Sequence, residues 1–323
     1  MIQLRRHPLR VALLALLLFL AAACSDTGGK QEEAPAAGAN AGQANTPEMT
    51  VQMVTHAAPG DTFWDIIRKG AEAAAAKDNV KFQYASDPDS GKQATLIQNA
   101  IDAKVDAIAV TLPDPPAIGP AVQKAIDAGI GNYAESGALS YFGSDEGLAG
   151  EEAGKRASEG GYKNLLCVIQ FQGQVQLEAR CDGVKKTFSG NWQKIYVNGA
   201  DRPSEQSTIA AKLKQDPSID FVVTLGAPDA LAAMNAVKDS GAKAKVGTFD
   251  FNPQIPPKIT SGELQFAIDQ QPYLQGYLAI DSLWLSKVNG NVLGGGKPTL
   301  TGPFIVDKSN IDIVGKFAEG GTR

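Results

Sequence analysis

The chain has 323 residues, 43% of them hydrophobic and 20% charged, enough apolar material for two ordinary globular domains and too much for a disordered or fibrous chain. Lys and Arg number 30 against 35 Asp and Glu, a formal net charge of −5 with a pI near 5.2, which argues against a dedicated nucleic-acid binder because a polyanion would be repelled. Three cysteines and two histidines, none close together, leave no structural zinc cluster and no cysteine–histidine catalytic pair, so neither a metal nor a cofactor is expected.

Arg5, Arg6 and Arg10 lead into the apolar run VALLALLLFLAAA at 11–23, followed by Cys24. The run is shorter than the roughly 20 residues that a helix needs to cross a bilayer, and its charged start and small-residue end fit export and cleavage. Residues 1–23 are therefore read as a signal peptide, with a membrane anchor as the alternative. The AAAC at 21–24 resembles the lipobox of bacterial lipoproteins, which implies that Cys24 carries lipid as the mature N-terminus. Residues 24–48 are rich in Ala, Gly, Pro and polar side chains without apolar period, and are expected to form a flexible lipidated tether.

From residue 49 onward, short apolar runs alternate with amphipathic stretches: MTVQMVTH, DIIRKGAEAAAAKD, VKFQYAS, KQATLIQNAIDAK, VDAIAVTL, IGPAVQKAIDAG. This strand–helix alternation predicts an α/β fold with parallel sheets covered on both faces. The pattern restarts at KNLLCVIQF (163–171) and runs to KVGTFDF (245–251), so two similar halves are expected. In doubly wound sheets ligands lie beyond the carboxyl ends of the strands. The segments that follow the strands here are rich in acids, amides and aromatics. They contain no GxxxxGK[ST], no GxGxxG after a strand and no GxSxG, so nucleotide binding and serine hydrolysis have no motif to support them.

Four segments in this order, GDTFWDIIRKGAEAAA at 60–75, VDAIAVTLPDPPAIGPAVQKAIDAGI at 105–130, VGTFDFNP at 246–253 and FAIDQQPYLQGYLAIDSL at 266–283, resemble the periplasmic binding proteins of sugar ABC transporters, in the branch of the ribose- and galactose-binding proteins. The resemblance covers about 49–315. It implies a type I fold of two doubly wound parallel-sheet lobes joined by a three-crossing hinge, with the first lobe at 49–145 plus 271–298 and the second at 146–270 plus 299–323. The sugar-responsive repressors of this family begin with a helix-turn-helix, and here an export signal takes that place.

A sugar offers hydroxyls that both donate and accept, with apolar C–H faces, so its site needs planar polar side chains and flat aromatic walls. The resemblance places the aromatic pair on Phe63 and Trp64, preceded by Asp61; one of the two rings being core is the alternative. It places an acid after the fourth strand at Glu135. The position of an arginine in ribose-binding relatives falls on Glu178, two before Arg180, which moves the site away from ribose. Asp250 in TFD and Gln270 in DQQ match family ligand positions, and Gly226 stands at an amide position. Asp114 either touches ligand or caps the helix starting near Ala117, Asp145 lies beside a lobe crossing, and Phe249 reads as core. Cys167 and Cys181, 14 residues apart in an exported chain, read as a disulfide, with two free buried thiols as the alternative.

These readings together describe a non-enzymatic, monomeric lipoprotein on the outer face of the cytoplasmic membrane, held there by lipid alone. It would capture a sugar or polyol and deliver it to an ABC permease. The alternatives are a receptor of the same shape for a signalling molecule or nucleoside that feeds a sensor, or an exported glycoside hydrolase working through two of its carboxylates.

Overall fold

The computed structural model describes residues 43–130 and 139–323. The signal peptide, Cys24 and Glu135 lie outside these residues. The end of the expected tether does not hang free. Ala44 donates its N–H to Lys77 O, while Asn79 Nδ2 and Trp284 Nε1 donate to Thr46 O and Oγ1 at 2.8 and 3.1 Å. Residues 44–46 are thus tied to the folded body by one backbone carbonyl and two side-chain donors.

The first lobe is built on a parallel sheet in the order β2-β1-β3, from β1 (Met49–Thr55), β2 (Val80–Ser86) and β3 (Ala107–Val110). Side chains alternate along β1. Met49, Val51 and Met53 pack against α1 (Thr62–Asp78) and α9 (Pro272–Asn289), whereas Val54 packs with α2 (Ser90–Asp102) and α3 (Pro115–Asp127). Both faces are therefore covered, as a parallel sheet requires. Helices α1 and α9 approach backbone to backbone: a Cβ on Gly70 would collide with Tyr273 O, and one on Gly276 with Ile67 O.

The second lobe holds six strands in the order β11-β9-β8-β7-β5-β6, parallel except for β11 against β9. These are β5 (Asn164–Ile169), β6 (Asn191–Tyr196), β7 (Phe221–Thr224), β8 (Lys245–Phe249), β9 (Leu264–Asp269) and β11 (Phe304–Asp307). Leu165, Cys167 and Ile169 of β5 face α4 (Glu146–Glu159) and α5 (Val175–Thr187), while Leu166 and Val168 face α6 (Arg202–Gln215) and α7 (Ala227–Ser240). Helices α8 (Ile255–Ser261) and α10 (Ile311–Glu319) close that second face. Cys167 and Cys181 form a disulfide that ties β5 to α5, with Cα atoms 6.0 Å apart.

The strands β4 (Phe142–Ser144) and β10 (Thr299–Gly302) pair in parallel and adjoin α9, so they extend the first lobe. This corrects the expected boundary after residue 298. Residues 299–302 still belong with β4, and the third crossing runs from Gly302 through Pro303 into β11, which pairs with β9. The other crossings run from β4 into α4 and from β9 into α9. There Thr301 Oγ1 donates to Gln270 O at 2.7 Å, and Gln275 Nε2 to Gln270 O at 3.0 Å.

Candidate functional site

A cleft of about 970 Å³ opens between the lobes, at the carboxyl ends of both parallel sheets. The lobes touch across it. Val175 N, at the start of α5 in the second lobe, donates to Pro113 O of the first lobe at 3.1 Å. Beside it, His56 at the end of β1 meets Gln176: their Nε2 atoms lie 3.2 Å apart, and Gln176 Nε2 also donates to Gln174 Oε1 at 2.9 Å. With that amide as donor, His56 Nε2 accepts, and its Nδ1 carries the proton that points at Thr111 Oγ1, 2.8 Å away. Burial, followed by the charge of Arg180, pushes the His56 imidazole down to about 3, so it stays neutral at ordinary pH.

The first-lobe wall comes from the turn that opens α1. Asp61 is the N-cap and accepts from Phe63 N at 3.1 Å, which fixes the helix start that carries Phe63 and Trp64. The Phe63 and Trp64 rings both line it, edge to face with centroids 5.1 Å apart, and His56 stands edge-on to Trp64 at 4.6 Å. Trp64 is the more buried and also packs into the lobe core, while Phe63 keeps more of its surface toward the cleft. Burial and the nearby Asp229 charge push the Asp61 carboxyl up to about 6.

The second-lobe wall is an interlocked polar cluster. Gln270 Nε2 donates to Asp250 Oδ1 at 2.8 Å, and both residues are 6% exposed. Asp250 sits in the left-handed backbone region with φ of 63°, a conformation that Asp tolerates better than most residues. Arg180 is the centre of the cluster. Its Nε donates to Glu146 Oε2 at 2.6 Å and its Nη1 to Leu225 O at 2.9 Å, with Asp250 Oδ2 at 3.8 Å and the Phe249 ring centroid 4.6 Å below the guanidinium. Burial pushes the Asp250 carboxyl up to about 7 against the opposing pull of Arg180. The arrangement offers acceptors and donors side by side over aromatic walls, which suits a ring of hydroxyls.

Of the residues expected from sequence, Asp61, Phe63, Trp64, Asp250 and Gln270 line the cleft together. Glu178 does not: it turns away and pairs with Lys194 at 2.6 Å. Arg180 of that helix lines the cleft instead, because positions two apart on a helix point to nearly opposite faces. Asp114 caps α3 by accepting from Ala117 N at 3.2 Å and borders only a smaller side cavity of about 370 Å³. Asp145 caps α4 through Leu148 N at 2.9 Å. Phe249 is core, 1% exposed. His56, Gln176, Arg180 and Asp229 line the cleft as well and are not among the ligand residues expected from sequence. A signal for Arg180 did exist, since Leu177, Arg180, Cys181 and Val184 mark the buried stripe of α5. No helix among the described residues is long and apolar enough to cross a membrane.

Comparison with known proteins agrees with this architecture. A crystal structure of a carbohydrate transporter from Acidothermus cellulolyticus 11B, in complex with myo-inositol, is 62% identical, covers 86% of this chain and 100% of its own, and superposes with a TM-score of 0.84. The ribose import binding protein of Bacillus subtilis is 26% identical over 281 residues, 84% of this chain and 90% of the relative. The xylose/arabinose-binding protein of Sulfolobus acidocaldarius is 23% identical over 241 residues, 67% of this chain, and this chain spans 60% of that relative's length. The model of the periplasmic binding protein domain matches residues 51–290. A two-lobed α/β body, an interlobe cleft of amides, acids and aromatics, and this match over most of the chain place the protein in the periplasmic binding protein domain family.

Proposed function

We propose that this protein is an extracytoplasmic solute receptor that captures one sugar or cyclic polyol between its two lobes and delivers it to an ABC permease. The observation that carries this reading is the interlobe cleft itself, with Phe63 and Trp64 on one wall and the Arg180–Asp250–Gln270 cluster on the other. Ligand contacts made by both walls exist only when the lobes are closed, so binding shifts the hinge equilibrium toward a closed form that a permease can distinguish from the empty one. The 62% identical carbohydrate transporter holds myo-inositol, which makes a cyclic polyol the first solute to test here. No bond is made or broken in the receptor; the carboxylates of the cleft act as hydrogen-bond acceptors, Glu146 for Arg180, Asp250 for Gln270, Asp229 for Arg202 and Asp61 for the Phe63 N–H. In this reading Cys24 carries a lipid that holds the monomeric receptor at the outer face of the cytoplasmic membrane.

The test is a thermal-shift screen against myo-inositol, other inositols, pentoses, hexoses and linear polyols. A ligand that binds only the folded state raises the melting temperature as its concentration grows over Kd. A concentration-dependent rise with one member supports the reading and names the solute. A flat response across the panel refutes it.

A further inference from the structure

One end of the cleft is shaped by an absent side chain. Gly226, the N-cap of α7, has extended backbone with φ of −161°, so its conformation does not demand glycine. A Cβ there would instead overlap Asp229 Oδ2 and come within 3.4 Å of Gln170 Nε2. The glycine therefore makes room for the Asp229 carboxylate, which is 2% exposed and borders the cleft. Asp229 Oδ1 accepts from Arg202 Nη1, and the same nitrogen donates to Glu205 Oε2 at 2.6 Å. Glu205 is fully buried, and its Oε1 has no hydrogen-bond partner among the described residues. A single guanidinium thus serves two buried carboxylates.

Two further acceptors converge on this end. Asp61 reaches it from the opposite lobe, close enough that the charges of Asp229 and Arg202 both act on its carboxyl. Gln170 lines the cleft at 8% exposure, and its Oε1 also lacks a hydrogen-bond partner among the described residues. Acceptors outnumber donors here, and a buried acceptor without a donor is costly.

We propose that Asp229, admitted by Gly226, is a specificity-determining residue that makes this end of the cleft require hydroxyl donors from the ligand, as a carbocycle with a hydroxyl on every carbon supplies. The inference rests on the solute-receptor reading above. Burial and the neighbouring Glu205 charge push the Asp229 carboxyl well above the usual carboxylate range against the pull of Arg202, so the two acids hold one proton between them, and the charge that remains on the pair accepts from a ligand hydroxyl. A ligand that places an ether oxygen there sets acceptor against acceptor, and sites built to pair a hydroxyl reject the analogue that lacks it. A pyranose, whose ring oxygen interrupts its hydroxyls, is therefore disfavoured against a cyclitol.

The experiment measures Kd for myo-inositol and for D-galactose by calorimetry in the wild type, Asp229→Asn and Gly226→Ala, with thermal melts to establish folding. The wild type should prefer myo-inositol. Asp229→Asn, whose amide can donate to a ring oxygen, should narrow that preference by about 10-fold or more, the size of one charge-assisted hydrogen bond. Gly226→Ala, which crowds the carboxylate and leaves the Arg202–Glu205 pair in place, should narrow it too. An unchanged preference in the folded variants, or a wild-type preference for D-galactose, overturns the assignment of Asp229 and leaves the receptor reading standing. A wild type that binds no sugar or polyol refutes the receptor reading, and the assignment falls with it.

Discussion

Arg180→Ala is the substitution whose cost the structure defines most fully. The guanidinium is 4% exposed, donates to Glu146 Oε2 and Leu225 O, faces Asp250 Oδ2 and stacks over Phe249. Its removal leaves two carboxylates and one carbonyl without their donor in a largely buried cluster. Removing one partner of a buried ion pair costs about 3–5 kcal/mol. At roughly 2–4 °C per kcal/mol for a domain of 150–250 residues, Tm should fall by roughly 6–20 °C in calorimetric or circular-dichroism melts at neutral pH. Without Arg180 the Asp250 carboxyl, already pushed up to about 7, rises further and takes up a proton at neutral pH; part of the loss is this buried acid without its partner, so Asp250→Asn should be less harmful, or even restorative, in the Arg180→Ala background than in the wild type. A double-mutant cycle measures that coupling, expected at about 0.5–3 kcal/mol for residues in one network. A Tm drop below about 2 °C, or strictly additive effects of the two substitutions, would refute the reasoning that Arg180 holds these carboxylates.

Three other outcomes follow from the same geometry. Reducing the Cys167–Cys181 disulfide, or replacing both cysteines by alanine, should destabilise the protein by about 3 kcal/mol through the loop it closes, read as a lower denaturant midpoint; an unchanged midpoint contradicts this. Gly276→Val should separate α1 from α9, because even a Cβ there collides with Ile67 O; loss of near-ultraviolet signal or of soluble protein is expected, and a wild-type melt would show that the helices have room. Stability should also fall as pH rises from 6 to 8. Asp61 and Asp250 have folded-state values raised to about 6 and 7, above their unfolded values, so their contribution is complete below the unfolded value and is lost as pH rises through the folded one. His56, lowered to about 3, acts oppositely and only below its unfolded value near 6.5. Asp250→Asn should flatten the slope between pH 6 and 8, and a slope identical to wild type would show that Asp250 does not carry it.

The alternation of strand and helix was legible because each parallel strand is a short apolar run between amphipathic stretches; VKFQYAS coincides with β2 at Val80–Ser86. The lining of the cleft was legible where local signals and resemblance agreed, as at Asp61, Phe63 and Trp64 beside a helix start. On α5 the resemblance puts the family's arginine position on Glu178, whereas the helix turns Arg180 to the cleft and Glu178 to Lys194. Asp114 followed its local chemistry, an acid before two prolines that caps a helix. The Gly226–Asp229 pair was beyond sequence reasoning, since the glycine matters through the space it leaves rather than through its backbone angle. The third lobe crossing was placed early because the short strand β10 pairs with β4, 157 residues away between Thr299 and Phe142, and long-range pairing of so short a segment leaves no local trace.

The most direct test of the central claim is calorimetric titration of myo-inositol, or of the panel solute that raises Tm most, into the wild type, Trp64→Ala and Asp250→Ala, one variant from each wall of the cleft. The account predicts one molecule bound per chain and a clear loss of affinity in both variants, because the solute touches both lobes. A stoichiometry other than one, or wild-type affinity in either folded variant, would contradict capture between the lobes.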